Sequence, residues 1–170
     1  MISFNSYGEE IKGLFGISLY DNAEKFFSSN YIDSNKFKSP ETSSGYFDLI
    51  IIDKIKIKSP YFSHYKITID KENKVHDIYG RSKILANLEI CQEIVKGLVS
   101  NSEKKYQANF KYWEKTYPEF KKYAYHYQTS SKNLLIQCKE ENETASVILQ
   151  IALSSKTFTD KVSEFYDSGL

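Results

Sequence analysis

Arginine is almost absent from this chain of 170 residues, since Arg81 stands alone against 22 lysines. Arginine is the usual residue for bidentate recognition of phosphate groups and guanine bases. The net charge is only +1 at pH 7, so the chain as a whole does not attract nucleic acid or an acidic partner. No apolar run approaches the ~20 residues of a membrane-spanning helix. The composition thus argues against a nucleic-acid partner and against a membrane span.

Motifs with a known chemistry are also missing. The chain has no glycine-rich phosphate loop, no nucleophile elbow and no HExxH motif. Its three histidines, His64, His76 and His126, are scattered over predicted strands. His64 and His76 lie on successive strands of one hairpin and could face each other, with Asp70 and Asp77 as the nearest carboxylates. We predict no metal and no cofactor, and we keep an enzyme with a site near His64, His76 and Asp77 as an alternative to a non-catalytic protein.

The N-terminal sequence MISFNSYGEEIKG has neither the charged start nor the apolar stretch of a secretory signal peptide. Two locations remain open. The chain is either cytoplasmic, or a mature periplasmic or secreted protein whose signal was removed and replaced by Met1. Residues 1–12 are predicted to be a flexible lead-in. Residues 13–170 are predicted to be a single domain, which is long enough to bury a core.

The centre of the predicted fold is a strand-rich stretch over residues 46–79. A first strand over 49–57 begins as a short apolar run and then alternates isoleucine with lysine. A second alternating run over 64–70 leads through a polar turn into a third strand over 74–79. Two apolar residues of this third strand stand three apart instead of two, which predicts a β-bulge near Asp77.

Helical periodicity is strongest after this stretch. Asn87 is a good N-cap, and the apolar residues after it repeat with the 3, 4, 7 spacing of one buried helix face. We predict a long helix that can continue to Tyr106. A C-terminal helix is predicted over 156–166, and an N-terminal helix over 22–29, started by a capping box. Residues 30–45 are predicted to be a loop.

Further strands are predicted near residues 123–129, 134–138 and 145–154, with Pro118 separating the first of them from a helical segment. Strands joined by short turns on either side of a long helix predict an α+β fold. Its sheet or sheets would be mainly antiparallel, with about five to seven strands, packed on the long helix and on shorter N- and C-terminal helices. The two halves share an order of elements without a residue-level repeat, so a duplicated unit remains open.

The two cysteines occupy apolar positions. Cys91 lies on the buried face of the long helix, and Cys138 lies in the middle of an apolar strand. A helix packed on a sheet can bring two such positions within the ~5.5–6 Å Cα separation that a disulfide prefers. The alternative is a pair of buried reduced thiols. A redox catalyst is not expected, because neither a CxxC motif nor a neighbouring histidine or aspartate accompanies them.

Residues 104–127 are the most aromatic part of the chain, and six lysines are interleaved with the rings. Rings combined with cations hold sugars and single-stranded nucleic acids, so a glycan or single-stranded nucleic-acid binder is one interpretation. An exposed aromatic patch would favour protein binding instead. A third interpretation places alternate rings in the core and the lysines in water. The candidate binding residues are Tyr106, Lys111, Tyr112, Trp113, Lys115 and Tyr117.

Three features occur together in the chain: GLFGISL followed by a capped helix, the strand sequences SPYFSHYKITID and VHDIYG, and a cysteine pair on a helix and a late strand. Over residues 13–170 they resemble a group of uncharacterised small bacterial proteins that are exported with a cleaved signal. The resemblance implies a location in the cell envelope and no particular activity, although the signal is missing here. We therefore predict a non-catalytic binding or scaffold domain of the cell envelope. Its expected partner is a protein, contacted through the exposed face of the sheet or the aromatic segment.

Overall fold

The structure of this protein is a computed structural model, and it describes residues 10–40, 42, 45–51, 55 and 57–167. The strands are β1 (Gly13–Leu14), β2 (Ile17–Ser18), β3 (Phe37–Lys38), β4 (Tyr46–Ile50), β5 (His64–Asp70), β6 (Val75–Leu85), β7 (Lys111–Thr116), β8 (Phe120–Gln128), β9 (Lys132–Glu141) and β10 (Val147–Ser155). The helices are α1 (Ser29–Asn35), α2 (Leu88–Tyr106) and α3 (Lys156–Asp167), and a 3₁₀ turn covers Ala23–Lys25.

Eight of the strands form one sheet in the order β3-β4-β5-β6-β10-β9-β8-β7, and every neighbouring pair is antiparallel. The α+β class and the antiparallel sheet are confirmed, but the predicted five to seven strands are too few. One missed strand is β3, which lies within the predicted loop. The other is β7, where five of the six side chains are exposed, so no alternation of buried and exposed residues marks the strand in the sequence.

One face of the main sheet is apolar and covered. Alternate residues of the central strands are buried there, as the two-residue period of a strand requires; they include Ile67, Ile69, Ile78, Ile136, Leu149 and Leu153. The N-terminal segment and α2 pack on this face with Ile17, Phe27, Ile32, Val95 and Val99. Gly80 allows the close approach of that segment, because a Cβ at this position would lie 2.8 Å from Cζ of Phe15. We call this side of the sheet the core face.

The N-terminal helix does not follow the prediction over 22–29. The 3₁₀ turn ends at Lys25, and α1 begins four residues later. The reason is a second N-cap, Ser28, whose Oγ accepts a hydrogen bond from the N–H of Tyr31 at 3.3 Å. The predicted loop over 30–45 therefore contains most of α1 and all of β3.

Several predictions fall partly outside the described residues. These parts are residues 1–9 of the flexible lead-in, residues 41, 43 and 44 of the predicted loop, residues 52–54 and 56 of the first predicted strand, and residues 168–170 at the end of the predicted domain. The described end of the lead-in contacts the sheet. Ile11 is buried, and its carbonyl oxygen accepts a hydrogen bond from Nζ of Lys132 at 3.0 Å.

The predicted hairpin is formed by β5 and β6. Their register shifts at His76, so the predicted bulge near Asp77 is confirmed. The same register pairs His64 with Arg81. Since Arg81 is five residues beyond His76, the two histidines are separated by about 17 Å along the strands. The two histidines therefore do not face each other.

The long helix α2 begins and ends where the sequence predicts. Oδ1 of Asn87 accepts a hydrogen bond from the N–H of Ile90 at 2.9 Å, and after Tyr106 the backbone turns with a φ of 52° at Gln107. Cys91 of α2 is bonded to Cys138 of β9, and their Cα atoms are 6.0 Å apart. The predicted disulfide is confirmed, and it attaches α2 to the core face.

The C-terminal helix α3 lies on the opposite side of the sheet from α2. Cys138 of β9 points toward α2. Leu135 and Gln137 alternate with Cys138 along the strand, so they point to the other side of the sheet. Phe158 and Val162 of α3 lie on that side. The two halves of the chain thus share an order of elements but place their helices on opposite faces. This arrangement gives no support to a duplicated unit.

Candidate functional site

The side of the sheet that carries α3, which we call the open face, forms a groove of about 610 Å³. Phe158, Thr159 and Val162 of α3 line one end, and six strands from β4 across to β8 contribute the remaining lining. Ligand sites of small molecules commonly have volumes of about 300–1,000 Å³. The groove is therefore large enough to bury a small molecule.

Strand register arranges the groove side chains in rows that cross the sheet, because directly paired residues point to the same side. The first row contains His64, Arg81, Gln150 and Gln137. The second row contains Lys66, Tyr79, Ala152 and Leu135. The third row, which is nearest to α3, contains Thr68, Asp77, Ser154 and Asn133.

Three of these side chains form a hydrogen-bonded relay across the floor of the groove. Nε2 of Gln137 donates to Oε1 of Gln150 at 2.6 Å, and Nε2 of Gln150 donates to the hydroxyl of Tyr79 at 2.7 Å. Gln137 is only 6% exposed, and its Oε1 has no hydrogen-bond partner among the described residues. Leaving a buried polar atom unpaired costs about 1–3 kcal/mol. Because this Oε1 is also closed to solvent, the relay ends in an acceptor that no ligand can contact in this structure.

Positive charge is concentrated at the end of the groove away from α3, which we call the basic end. Its cations are Arg81, Lys122 and Lys139. Nζ of Lys139 lies 3.4 Å from Oε1 of Glu141 and 4.5 Å from the ring centre of Phe120, and Nζ of Lys122 lies 5.3 Å from the same ring centre. The guanidinium of Arg81 makes no hydrogen bond or ion pair with the described residues. Three positive charges thus face one carboxylate here.

The carboxylates at the α3 end are already bonded within the protein. Asp48 accepts a hydrogen bond from Oγ1 of Thr68 at 2.7 Å and pairs with Nζ of Lys66 at 2.9 Å. Oδ1 of Asp77 accepts a hydrogen bond from Oγ of Ser154 at 2.6 Å. Among the described residues, the groove is therefore polarised along its length, with cations in excess of carboxylates at the basic end.

The sheet divides the predicted binding residues of the aromatic segment between its two faces. Lys111, Trp113 and Lys115 of β7 point to the open face, since Lys115 pairs with Lys122. Tyr112 points to the other face, where it lines a smaller cavity of about 230 Å³ beside α2. Partial burial of the Tyr112 hydroxyl, together with its hydrogen bond to Glu114 at 2.9 Å, raises its pKa to about 12.

The two remaining candidates lie elsewhere. Tyr106 is the last residue of α2 and packs against the core. Tyr117 lies in the turn between β7 and β8, with its ring centre 4.6 Å from that of Phe120. Nζ of Lys115 is 5.0 Å from the Tyr117 ring centre. The six candidates do not form one surface, but Lys115 and Tyr117 adjoin the basic end of the groove through Phe120 and Lys122.

A serine, a histidine and an aspartate are connected in a line beneath the start of α3. Nδ1 of His76 lies 2.9 Å from Oγ of Ser155, and its Nε2 lies 3.0 Å from Oδ2 of Asp70. The order of groups matches a catalytic triad, but Ser155 is fully buried. Its Oγ also accepts a hydrogen bond from the N–H of Phe158 at 3.2 Å. Ser155 therefore serves as the cap of α3 and has no route to a substrate.

The predicted enzyme site near His64, His76 and Asp77 is not a cluster in the structure. His64 lies at the basic end, His76 in the buried line, and Asp77 in the third row of the groove. Among the residues that the structure describes, no group of three or more His, Cys, Asp or Glu side chains is placed to hold a metal ion.

Asp70 provides a prediction about acid stability. Burial raises its pKa, but hydrogen bonds from the N–H of Lys74, from His76 and from the N–H of Glu72 outweigh burial, so the pKa is lowered from its ordinary value of 3.8. The ionised carboxylate thus stabilises the fold above pH 3.8, and this contribution is lost as the pH falls through the lower folded-state pKa. We expect Asp70→Asn to reduce the free energy of unfolding by about 2 kcal/mol at pH 7.

The measurement is urea unfolding of both proteins between pH 7 and pH 2.5. The difference between wild type and variant should shrink only below about pH 4. Asp33→Asn is the matched control, because Asp33 is an exposed helix residue whose one ion pair among the described residues is with Lys36 on the surface. A difference for Asp70→Asn that stays constant down to pH 2.5 would contradict the assigned role.

Comparisons of the chain with protein-family models, with curated proteins and with solved structures found no match. The resemblance to small exported bacterial proteins therefore stays a prediction. Over the described residues, no helix has the length and apolar character needed to cross a membrane.

Proposed function

We propose that this chain is a non-catalytic binding domain whose ligand occupies the groove on the open face. The observation that carries the proposal is the groove itself, whose volume of about 610 Å³ suits a small molecule. The guanidinium of Arg81 lines it without a hydrogen bond or ion pair to the described residues. A planar guanidinium is suited to bidentate contact with a carboxylate or a phosphate, so a ligand can supply the missing partner.

The binding role is supported over the enzymatic alternative by the placement of the reactive groups. Ser155 is fully buried and caps α3, and Asp77 accepts a hydrogen bond from Ser154. His64 is exposed at the other end of the hairpin. Within the groove the hydroxyl of Ser154 meets the carboxylate of Asp77, but no histidine among the described residues hydrogen-bonds to this pair. The concave shape suits a small molecule; the protein partner expected at the aromatic segment stays a separate prediction.

The disulfide supports an exported location as part of the same proposal. Disulfides persist in the periplasm and outside the cell, whereas the cytoplasm keeps thiols reduced. The Cys91–Cys138 bond is buried at both ends and joins a helix to a strand, which is the pattern of a structural disulfide. We therefore propose that the domain acts in an oxidising compartment.

The test uses three amphiphiles of equal length: octanoate, octanamide and octylamine. Because Arg81 is the only arginine, its Nε–H gives a single resonance in a ¹H–¹⁵N spectrum, and this resonance reports on the groove directly. We expect at least one of the three to shift it in a saturable way at millimolar concentration. Octanoate should give the largest shift, since Arg81 has no carboxylate partner among the described residues.

A groove-filling variant provides the control. Ala152 lies in the second row, so Ala152→Trp should abolish the shift of the Arg81 resonance. Ala86 is exposed in the connection between β6 and α2, so Ala86→Trp adds the same bulk elsewhere and should leave the shift unchanged. The proposal fails if none of the three amphiphiles shifts the resonance, or if the shift survives in Ala152→Trp.

A further inference from the structure

The smaller cavity beside α2 lies on the opposite side of the sheet from the groove. Its volume of about 230 Å³ is below the roughly 300–1,000 Å³ of sites for drug-sized ligands, so it suits a compound of few atoms. The helix contributes Gln92, Val95 and Lys96 to its lining. The sheet contributes Cys138 and three tyrosines. We call this space the tyrosine cavity.

The three tyrosines of this cavity are Tyr112, Tyr123 and Tyr125. Tyr123 and Tyr125 are two residues apart on β8, so they point to the same side, and Tyr112 of β7 is paired directly with Tyr125. The ring centres of Tyr112 and Tyr125 are 5.1 Å apart, and the ring planes are inclined by 54°. The two rings thus form walls at an angle and not a flat stack. Aromatic rings arranged around one small space are how proteins bind quaternary ammonium groups.

Negative charge lies beside the tyrosine hydroxyls. Oε2 of Glu114 accepts a hydrogen bond from the hydroxyl of Tyr112 at 2.9 Å, and Glu114 is paired across the strands with Tyr123. Burial raises the pKa of Tyr123, and the charges of Glu140 and Glu114 raise it further. Glu140 stands opposite Lys121 on β8, whereas Glu114 has no ion pair with the described residues. The sheet side of the cavity therefore favours a positive group.

The helix side of the cavity carries the opposite charge. Lys96 lines it, and its ammonium makes no hydrogen bond or ion pair with the described residues. Gln92 lies one turn earlier on α2 and adds a side-chain amide, which can donate two hydrogen bonds. A carboxylate can pair with Lys96 and accept from Gln92. The cavity thus combines an aromatic, negative side with a positive side.

We propose that the tyrosine cavity binds a small zwitterion that carries a quaternary ammonium group and a carboxylate a few atoms apart. The ammonium group lies among the three tyrosine rings beside Glu114, and the carboxylate contacts Lys96. A quaternary ammonium donates no hydrogen bond, so ring faces and nearby negative charge can hold it. A primary ammonium would need acceptors for three N–H groups. Betaines have this chemistry, and the site is independent of the proposed function of the groove.

Glycine betaine is the probe, and three relatives each lack part of its charge. Choline lacks the carboxylate, 3,3-dimethylbutanoate lacks the cation, and 3,3-dimethylbutanol lacks both. The titrations follow the methyl resonances of Val95 in a ¹H–¹³C spectrum, since Val95 lines the cavity and is only 2% exposed. We expect a saturable shift with glycine betaine at millimolar concentration. Each relative should have a dissociation constant about tenfold or more above that of glycine betaine, as expected for the loss of one good contact.

Variants assign these contacts to residues. Tyr112 is 51% exposed, so its replacement should leave the fold intact. Tyr112→Leu should raise the dissociation constant of glycine betaine about tenfold, whereas Tyr112→Phe should retain binding because the ring remains. Tyr166→Leu is the control, because Tyr166 is exposed on α3 at the other side of the sheet. Lys96→Met should remove the advantage of glycine betaine over choline, and Lys104→Met, at an exposed position of the same helix, should preserve it.

The outcomes keep this inference apart from the proposed function. The inference is overturned if glycine betaine does not shift the Val95 resonances, if any relative binds as tightly, or if Tyr112→Leu has no larger effect than Tyr166→Leu. The Arg81 resonance should stay in place throughout. A shift of Arg81 without a shift of Val95 would place the compound in the groove and contradict the tyrosine cavity as its site. Because the two sites have different reporters, each proposal holds or fails by itself.

Discussion

Replacing Cys91 and Cys138 together by alanine is expected to lower the free energy of unfolding by about 4 kcal/mol. The bond closes a loop of 47 residues, and a cross-link of that length removes much of the chain entropy of the unfolded state. Both sulfur atoms lie where α2 packs on the core face, and both residues are fully buried. Loss of the bond therefore also loosens the attachment of the longest helix.

Urea unfolding with and without reductant measures this contribution. Reductant should bring the wild type to the stability of the double variant and should leave the double variant unchanged. Val99→Ala is the matched control, because Val99 is buried on the same helix but forms no covalent bond; its cost should not depend on reductant. Alkylation of two thiols in untreated, denatured protein from an oxidising export route would contradict both the bond and the proposed location.

The core face was predictable because its signals are local. Alternation of apolar and polar residues over 64–70 is the pattern of a half-buried strand, and β5 follows it. The cap at Asn87 and the apolar face of α2 lie within one segment, so the helix could be placed with its correct ends. The disulfide followed from two apolar positions, one on that helix and one on β9.

The open face was not predictable as a site, because distant segments build it. Gln150 and Tyr79 are 71 residues apart in the chain and meet only through the pairing of β10 with β6. No composition or spacing in either strand reveals that partner. Register alone places Arg81 in the same row as Gln137, and register between non-consecutive strands is set by tertiary packing.

Strand β9 shows how one short segment serves both faces. Cys138 points to α2 and forms the disulfide, whereas its chain neighbours Gln137 and Lys139 point into the groove. The alternation that identifies the strand thus also separates a structural role from a proposed binding role. The aromatic segment is divided in the same way, which is why Tyr112 and Trp113 lie on opposite faces.

The buried line of Ser155, His76 and Asp70 leads to the second large expected effect. Ser155→Ala removes the cap at the start of α3, which typically costs about 1 kcal/mol. It also leaves Nδ1 of the buried His76 without its partner, which costs about 1–3 kcal/mol more. We expect a total loss of about 3 kcal/mol in the free energy of unfolding.

Unfolding by urea distinguishes this structural role from a catalytic one. Thr157→Ala is the control, since Thr157 is exposed on the same helix and should change stability by less than about 0.5 kcal/mol. Ser155→Ala and Asp70→Asn both act on His76, so their combined cost should be smaller than the sum of the two. A catalytic serine would show the opposite result, because removing it would leave the unfolding free energy nearly unchanged. An unfolding free energy that Ser155→Ala leaves unchanged would therefore show that Ser155 does not hold α3 in place at the end of the groove.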